Sequence, residues 1–508
     1  MRRKKVVFFF PAFSSLEATA PLGILAVATP LLRAGYQVRI VDSTITDDFQ
    51  ARVLDELQGA LCLAVSLVTG PMIRETAQIA RETKRLYPRM PVILGGWHPS
   101  LLPEQTLDAD YVDAIVVGQG EEAMLQVVRH LEEGASLSGI PGVGYKEGGR
   151  LVFNEPRALK QLRDLPPKAY ELADFDAYER VCGRRWAMYI SSLACPYSCA
   201  YCTNEAVYGR RWNALEAERV AEETSELASR YRLQLVWMVD DNFLVDRGRA
   251  LQIAEGLLRR GVAFEWSIQA TTNLVVRLSV DELKLLRRAG LTQICHGAES
   301  GSPEVLSRMN KDFQKIETIY DAAEKCTRAA IRPSFNIIFG FPGEGESERR
   351  QTVALIMDVC RRFPGAEFWT NIFTPYPGSP IIRRAADLGI QVPATFEGWA
   401  DFFPRYTVLP WLNGRKHRRV QAMRDYLRLA FTRVPIAADR RSALTRRFHQ
   451  AISIPARWRL DHDVYALPFE LWLKKAAGRL CEAPKAKVDA QQLEAEPAAR
   501  RLGECASG

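Results

Sequence analysis

Ser191-Ser-Leu-Ala-Cys195-Pro-Tyr-Ser-Cys199-Ala-Tyr201-Cys202-Thr203 places three cysteines at C-x3-C-x2-C spacing directly after a short apolar run. Three thiolates on one short loop can bind three irons of a four-iron cluster, which leaves the fourth iron without a protein ligand and open to a substrate or cofactor. A structural zinc site is the alternative reading, completed by a distant His or Cys. Zinc sites usually arrive as paired C-x2-C knuckles, and there is no second pair here. The other seven cysteines (Cys62, Cys182, Cys295, Cys326, Cys360, Cys481, Cys505) are scattered singly, most inside apolar runs where a buried, unreactive thiol is the default.

Upstream of the cysteines, residues 4–12 (strand), 19–34 (helix), 37–42 (strand), 50–57 (helix), 61–66 (strand), 71–87 (helix), 91–95 (strand), 113–117 (strand) and 120–133 (helix) alternate. Strands separated by helices imply right-handed crossovers and a parallel sheet covered on both faces, so residues 1–140 read as a doubly wound, Rossmann-like α/β domain. Ligands of such sheets bind at the carboxyl ends of the strands, here Ser66-Leu-Val-Thr-Gly70, Gly95-Gly-Trp-His-Pro99 and Gly118-Gln-Gly-Glu121. Residues 141–180 read as a linker, with a hairpin around Lys146-Glu-Gly-Gly-Arg150 and the proline-bearing Asp164-Leu-Pro-Pro-Lys168. A second series follows over 181–400, with strands near 187–191, 234–239, 264–268, 292–297, 333–339 and 367–372. Six strand-helix repeats predict a partial barrel whose chemistry gathers at the carboxyl ends of its strands, and the three cysteines follow the first of them. Residues 401–482 read as a helical region broken at Pro435, Pro455 and Pro468, and 483–508 have the composition of a disordered tail.

With 508 residues, 47% of them apolar and 25% charged, the chain is a globular protein of two or three domains. Met1-Arg-Arg-Lys-Lys before an apolar run resembles the start of a signal peptide, but the run ends by Pro11 without a cleavage site and reads better as a first buried strand. No segment reaches membrane-spanning length, and the unpaired cysteines point to a reducing cytoplasm. Between Asn413 and Leu480 there are 16 Lys plus Arg against 5 Asp plus Glu, so this stretch exceeds the net +8 of the whole chain. With Trp458, Phe469, Leu471, Trp472 and Leu473 among its charges it is either a solvated helical face with a packed apolar side or a surface for peripheral association with an anionic membrane. No nucleic-acid partner is expected, since no RNA-binding fold accompanies the charge.

The cysteine spacing, with Tyr201 before the last thiol, resembles the signature of the radical S-adenosylmethionine (SAM) superfamily. The resemblance implies a 4Fe-4S cluster on Cys195, Cys199 and Cys202, with SAM on the unique iron and one-electron cleavage to a 5'-deoxyadenosyl radical. The N-terminal loops resemble the cobalamin-binding domain of one radical SAM subfamily, that of anaerobic magnesium-protoporphyrin cyclases and radical methylases. By that resemblance Ser66, Leu67, Gly95, Gly96, Gly118 and Gly120 line cobalamin. The D-x-H-x-x-G element that supplies a cobalt ligand is absent: no histidine precedes His98. Either cobalamin binds without a histidine on cobalt, or the domain keeps the fold and has lost the cofactor.

The same resemblance assigns SAM to Tyr201, to Gly297, Glu299 and Ser300 after the fourth barrel strand, and to Ile338 and Gly340 in Asn336-Ile-Ile-Phe-Gly-Phe-Pro-Gly-Glu344. Asp240, Asp241 and Tyr376 fall at strand ends as substrate contacts, although paired aspartates also cap helices. Trp399, Phe402, Phe403, Tyr406 and Trp411 either roof an apolar substrate pocket with Tyr376 or simply pack between barrel and C-terminal helices. The implied chemistry is methyl transfer, oxidative cyclisation or carbon-carbon bond formation at an unactivated carbon of a small-molecule or lipid-like substrate, with flavodoxin or ferredoxin as electron donor. Two other readings remain. A methylthiotransferase carries three more cluster cysteines in its first domain, where this chain has only Cys62 before residue 182. A non-enzymatic iron-sulfur or cobalamin sensor would bind its cofactor without cleaving SAM.

Overall fold

The computed structural model describes residues 4–13, 18–261, 263–403, 409–431 and 443–473. They divide into a larger unit running through Val420 and a smaller one built from Gln421–Ala430 and the described residues from 443 on.

The larger unit holds two sheets of biological interest at their strand ends. The first comprises β1 (Lys5–Phe10), β2 (Gln37–Asp42), β3 (Ala60–Ser66), β4 (Val92–Gly95), β5 (Ala114–Val116), β6 (Val143–Glu147) and β7 (Arg150–Phe153), in the order β2-β1-β3-β4-β5-β6-β7. Strands β1, β3 and β4 are continuous apolar runs because helices cover both faces. Val7, Phe9, Leu63, Val65 and Leu94 enter one core layer, and Val6, Phe8, Ala64 and Ile93 the other. The first five strands are parallel. The hairpin expected within the 141–180 linker instead extends this sheet: β6 pairs antiparallel with β5, and β7 with β6. Its alternation buries Val143 and Tyr145 against the sheet's core, which a linker would not do. Two short helices, Trp97–Leu101 and Pro103–Asp108, also occupy a stretch that the sequence left as loop.

The second sheet begins with β8 (Trp186–Tyr189). A two-residue ribbon of β9 (Ser192–Leu193) and β10 (Asn213–Ala214) follows, then β11 (Leu235–Met238), β12 (Glu265–Ala270), β13 (Leu291–Glu299), β14 (Arg332–Phe339) and β15 (Glu367–Ile372). Six strands run parallel in the order β15-β14-β13-β12-β11-β8. One face (Ala187, Val236, Met238, Trp266, Ile268, Ile294) is fully buried with apolar residues of the helices Ala217–Tyr231, Arg247–Arg259 and Val280–Arg288. Successive strand residues point to opposite faces, so Met188, Trp237, Gln269, Cys295, Asn336 and Asn371 fall on the opposite, lumen side, where Met188 pairs with Trp237 and Gln269 with Cys295.

After β15 the chain returns to the first sheet. Ala385, Ile390, Phe396, Trp399, Ala400 and Phe402 join the core layer of Val7, Phe9 and Leu63. Of the two readings of the aromatic cluster, packing holds for Trp399 and Phe402, against the first sheet rather than between barrel and C-terminal helices. Trp399 is fully buried, packs edge-on to Phe402 and donates its indole N–H to Gln105 Oε1 at 2.8 Å. Phe403 lies edge-on to Phe13, and Trp411 donates to the Gly340 carbonyl at 2.9 Å. The apolar face of the first sheet would otherwise be open to water, and covering it outweighs any roofing role. Tyr406, Pro435 and the tail 483–508 lie outside the described residues.

In the smaller unit, the helix Ala443–Asp461 runs through Pro455 rather than stopping there. Proline in a helix interior removes one hydrogen bond and kinks the helix without having to end it. Pro468 directly precedes the helical residues 469–473. Glu470 accepts from Tyr426 Oη at 2.9 Å and from Arg459 Nε at 2.9 Å. Among all described residues no helix is long and apolar enough to cross a membrane.

Two histidines are fully buried in the larger unit. His98 bonds Thr69 Oγ1 through Nδ1 at 2.9 Å, and His296 stacks on Phe335 with ring centroids 4.9 Å apart. Burial pushes each imidazole's pKa down to about 3. The native rings therefore stay neutral where the unfolded chain takes up protons. Their contribution to stability is complete above the ordinary histidine pKa of about 6.5 and is lost as pH falls from there towards 3. We predict that His296→Phe reduces the loss of urea stability between pH 7.5 and pH 5.5 by on the order of 1 kcal/mol. Equal losses in variant and parent would refute this.

Candidate cofactor sites at the strand ends

The loop after β8 is fixed from below by Asp240, at the end of β11. Its buried carboxylate accepts from Ser191 N at 2.7 Å, Ser191 Oγ at 2.5 Å and Ser192 Oγ at 2.6 Å. Arg249 donates to the Ser191 carbonyl at 2.9 Å. Ala194 then adopts a left-handed conformation, φ 67°, and the chain enters the cysteine segment. Three further contacts hold that segment. Ala200 N donates to Met309 O at 2.8 Å, Asn310 Nδ2 donates to Ser198 O at 2.7 Å, and the Tyr197 ring stacks on Phe313 with centroids 3.8 Å apart. Asn242 Nδ2 lies 3.9 Å from Cys195 Sγ.

Burial raises the pKa of all three thiols, that of Cys202 to about 11. Cation binding must therefore supply the free energy of deprotonation, as soft metal centres do. The donor set is all sulfur. A four-iron cluster asks each thiolate to meet its own iron, so the three side chains need to share a loop without converging on one point. Among the described residues no three His, Cys, Asp or Glu side chains gather closely enough to ligate a single ion.

Beside the thiols, the end of β13 forms a buried ionic knot. Glu299 Oε1 accepts from Tyr201 Oη at 2.9 Å and from Lys311 Nζ at 2.9 Å, and Lys311 also donates to the Gly297 carbonyl at 2.7 Å. The side chains of Lys311 and Glu299 are 2% and 8% exposed, so bulk water cannot screen the pair. Gly297 is required here, because a Cβ would sit 2.4 Å from Glu299 Oε1 and 2.9 Å from Lys311 Nζ. The sequence reading missed Lys311, and the stretch Arg308-Met-Asn-Lys311 carries no motif that would have exposed it.

Several expected contacts are placed otherwise. Ser300 is fully buried and its hydroxyl engages Thr352 Oγ1 at 3.2 Å and the Ser302 N–H at 3.1 Å, so it faces a helix rather than an opening. Gly340, at φ 81°, is enclosed: its N–H donates to Glu344 at 2.6 Å, and a Cβ would lie 2.9 Å from Leu412. Ile338 stays half-buried on the lumen side. Asp240 is fully buried and holds the serines, which corrects its reading as a substrate contact. Asp241 is reached by solvent, yet the protein around it raises its carboxyl above the usual range. Tyr376 is half-buried, and burial raises its phenol to about 12.

A cavity of about 220 Å³ opens at the carboxyl ends of β1, β3, β4 and β5. Ser66, Gly95, Gly96, Gly118 and Gly120 line it, and Phe8, Val27, Ala64, Ile93, Val116 and Met124 give it an apolar interior. Leu67 departs from expectation, since its side chain is buried in the opposite core layer. Its backbone instead explains Gly96: at φ 97°, a Cβ there would lie 2.6 Å from Leu67 O. Gly120 leaves room beside Val27, where a Cβ would approach to 3.1 Å. Ser100, which the sequence reading passed over, donates to Gly96 O at 2.7 Å and accepts from Gly118 N at 2.9 Å, tying two of the glycine loops together. A glycine-edged apolar slot with hydroxyls at its rim fits the nucleotide tail of a corrinoid.

Removing one partner of a buried ion pair leaves an uncompensated charge, at a cost of roughly 3–5 kcal/mol. Lys311→Met should therefore lower unfolding free energy by about that amount in urea titrations, and the double variant with Glu299→Leu should recover most of the loss. A single variant within about 0.5 kcal/mol of the parent would remove the knot's claimed role.

Comparison with known proteins agrees with this geometry. The radical SAM superfamily matches residues 189–356 and the B12 binding domain residues 13–128. An uncharacterized methyltransferase of Pyrococcus horikoshii is 26% identical over 416 residues, 81% of this chain and 86% of its own length. The hopanoid C-3 methylase of Methylococcus capsulatus is 22% identical over 71% of this chain and 67% of its own. The structure of TsrM from Kitasatospora setae, a radical SAM methyltransferase with cobalamin and a 4Fe-4S cluster bound, superposes with a TM-score of 0.65 at 19% identity, covering 77% of this chain and 76% of that one. The chain thus carries the regions of both families and is a B12-binding radical SAM enzyme, which uses a 4Fe-4S cluster, SAM and cobalamin.

Proposed function

We propose that this enzyme transfers a methyl group to an unactivated carbon of a substrate held in the lumen of the second sheet. The observation that carries the reading is the joint placement of a glycine-edged apolar slot and a fixed trio of half-buried thiols within one compact unit. The Pyrococcus horikoshii methyltransferase, which matches over 81% of this chain, supports methyl transfer, while cyclases matching over 58–75% make oxidative cyclisation the second reading. When bound, the cluster and SAM supply one-electron chemistry and cobalamin a methyl carrier. In this reading Cys195, Cys199 and Cys202 hold the cluster. Tyr201, Gly297, Glu299 and Lys311 would hold SAM, with Ile338 beside them on the neighbouring strand β14. Ser66, Gly95, Gly96, Gly118 and Gly120 hold cobalamin, and Asp241 and Tyr376 are left at the substrate end.

The lumen side also speaks to substrate class. Gln269, Asn336 and Asn371 present amides there, and Trp237 presents an indole whose N–H is buried without a partner. Such groups favour a substrate with hydrogen-bonding atoms near the reacting carbon over bare hydrocarbon. In the smaller unit Ile454, Trp458, Leu467, Phe469, Trp472 and Leu473 are each more than half exposed. Aromatic side chains in a basic stretch suit peripheral contact with an anionic bilayer, which would bring the enzyme to an amphiphilic substrate.

Two measurements test these assignments. Anaerobically reconstituted protein, reduced by flavodoxin or ferredoxin and given SAM with a deuterated methyl group, is expected to release 5'-deoxyadenosine and to label its corrinoid. Cys199→Ala should abolish 5'-deoxyadenosine release, and unchanged release would overturn the cluster assignment. Sedimentation with phosphatidylglycerol vesicles should carry down the parent but at least several-fold less of Trp458→Ser/Trp472→Ser. Equal sedimentation of the two would remove the membrane contact.

A further inference from the structure

We propose that Lys168 is the cationic contact for the phosphate in cobalamin's nucleotide tail, an inference that rests on the cofactor assignment above. Lys168 ends the segment Asp164-Leu-Pro-Pro-Lys168, which joins the two sheets, and lines the cavity together with Leu165, Pro166 and Pro167. Its ammonium has no hydrogen-bond acceptor among the described residues; the contact it does make is with the Tyr189 ring, 5.4 Å from the centroid. The other charged groups at the cavity are already engaged. Arg219 donates to Glu223 at 2.6 Å and to the carbonyls of Arg163 and Leu165 at 2.9 and 2.8 Å. Glu223 also accepts from Tyr189 Oη at 2.6 Å. Glu121 stands at the start of the helix Glu121–Glu133, where backbone N–H groups of that turn hold its carboxylate.

Lys168 is half-buried at the cavity, and its ammonium has three donors to offer a ligand placed there. Burial indeed lowers the Lys168 pKa, against the opposing pull of Glu223 and Glu121. The cavity interior beyond it is apolar and suits a flat aromatic base, so the single anionic group of the tail falls to the polar rim, where Lys168 is the cation with donors to offer. Tail and lysine are chemically matched: a monoanionic phosphodiester and a point charge free to orient its hydrogens.

The test compares two corrinoids by absorbance titration of apoprotein: hydroxocobalamin, which carries the phosphate and base, and aquacobinamide, which lacks both. Lys168→Met should weaken hydroxocobalamin binding roughly ten- to hundred-fold. Aquacobinamide binding should stay at the parent's level, and Lys168→Arg should keep hydroxocobalamin affinity within a few-fold. Unaltered hydroxocobalamin affinity in Lys168→Met, or equal losses for both corrinoids, overturns the proposal. If Lys168→Met does not fold, as judged by its failure to take up iron and sulfide, Lys168→Gln is read against Lys168→Arg by the same ratio. A parent protein that binds neither corrinoid would sink the cofactor assignment itself, a result distinct from a lysine without effect.

Discussion

The buried ammonium of Lys311 is the constraint around which the reactive end of the second sheet is arranged. It meets Glu299 and the Gly297 carbonyl at the end of β13, and it lies 3.3 Å from Tyr201 Oη in the cysteine loop. Burying such a pair is expensive, and as a source of stability alone it compares poorly with well-packed apolar residues. Its effect is better seen as fixing position. Glu299 takes a left-handed conformation, φ 61°, which a glutamate adopts only when its surroundings impose it. The ion pair, the hydroxyl of Tyr201 and the absence of a side chain at Gly297 together impose it. The thiol next to Tyr201 is therefore tied to the strand end by side-chain bonds and not only by the loop's own turns.

A second coupling runs from the thiols to the corrinoid slot. After Cys202 the chain forms the short helix Asn204–Tyr208, and Tyr208 lies edge-on to Trp97 with centroids 5.6 Å apart. Trp97 directly follows Gly95-Gly96, and both aromatic residues line the cavity. The two sheets also share apolar packing, since Ala18, Ala20, Leu22 and Leu25 enter the core of the second sheet, and Tyr178 donates to Asp42 at 2.6 Å. Rigid support on both sides is what radical chemistry asks of a protein, because a reactive intermediate is steered by geometry rather than by binding strength.

What the sequence made legible follows from the kind of signal each feature leaves. The cysteine spacing is set by local chain geometry and cluster chemistry, so it survives as a string of letters. The buried parallel strands leave apolar runs, and β1, β3, β4, β13 and β14 stand close to where their runs place them. Lys311, Ser100 and Lys168 left no such trace, because a single lysine or serine outside a motif is commonplace and its partners are set by the tertiary fold. Trp399 and Phe402 left two readings for a related reason: their composition says that they are covered, and only the tertiary fold says by what. Gly96 was read as making space for a ligand, whereas the crossing with Leu67 backbone already demands it.

Asp240 and Asp241 show how far adjacency misleads. The two follow β11 where the chain leaves the strand and bends, and their environments differ. Asp240 turns beneath the loop, fully buried, and accepts three hydrogen bonds from Ser191 and Ser192. Its burial alone would raise its carboxyl, and those hydrogen bonds together with Arg249 act against the rise. A carboxylate so enclosed is out of reach of a substrate. Asp241 keeps access to solvent, and Cys195 and Cys202 lie near enough for its charge to bear on their thiols. The pair thus divides into a support and a candidate for contact with substrate, and the division follows from burial and hydrogen bonding rather than from residue type.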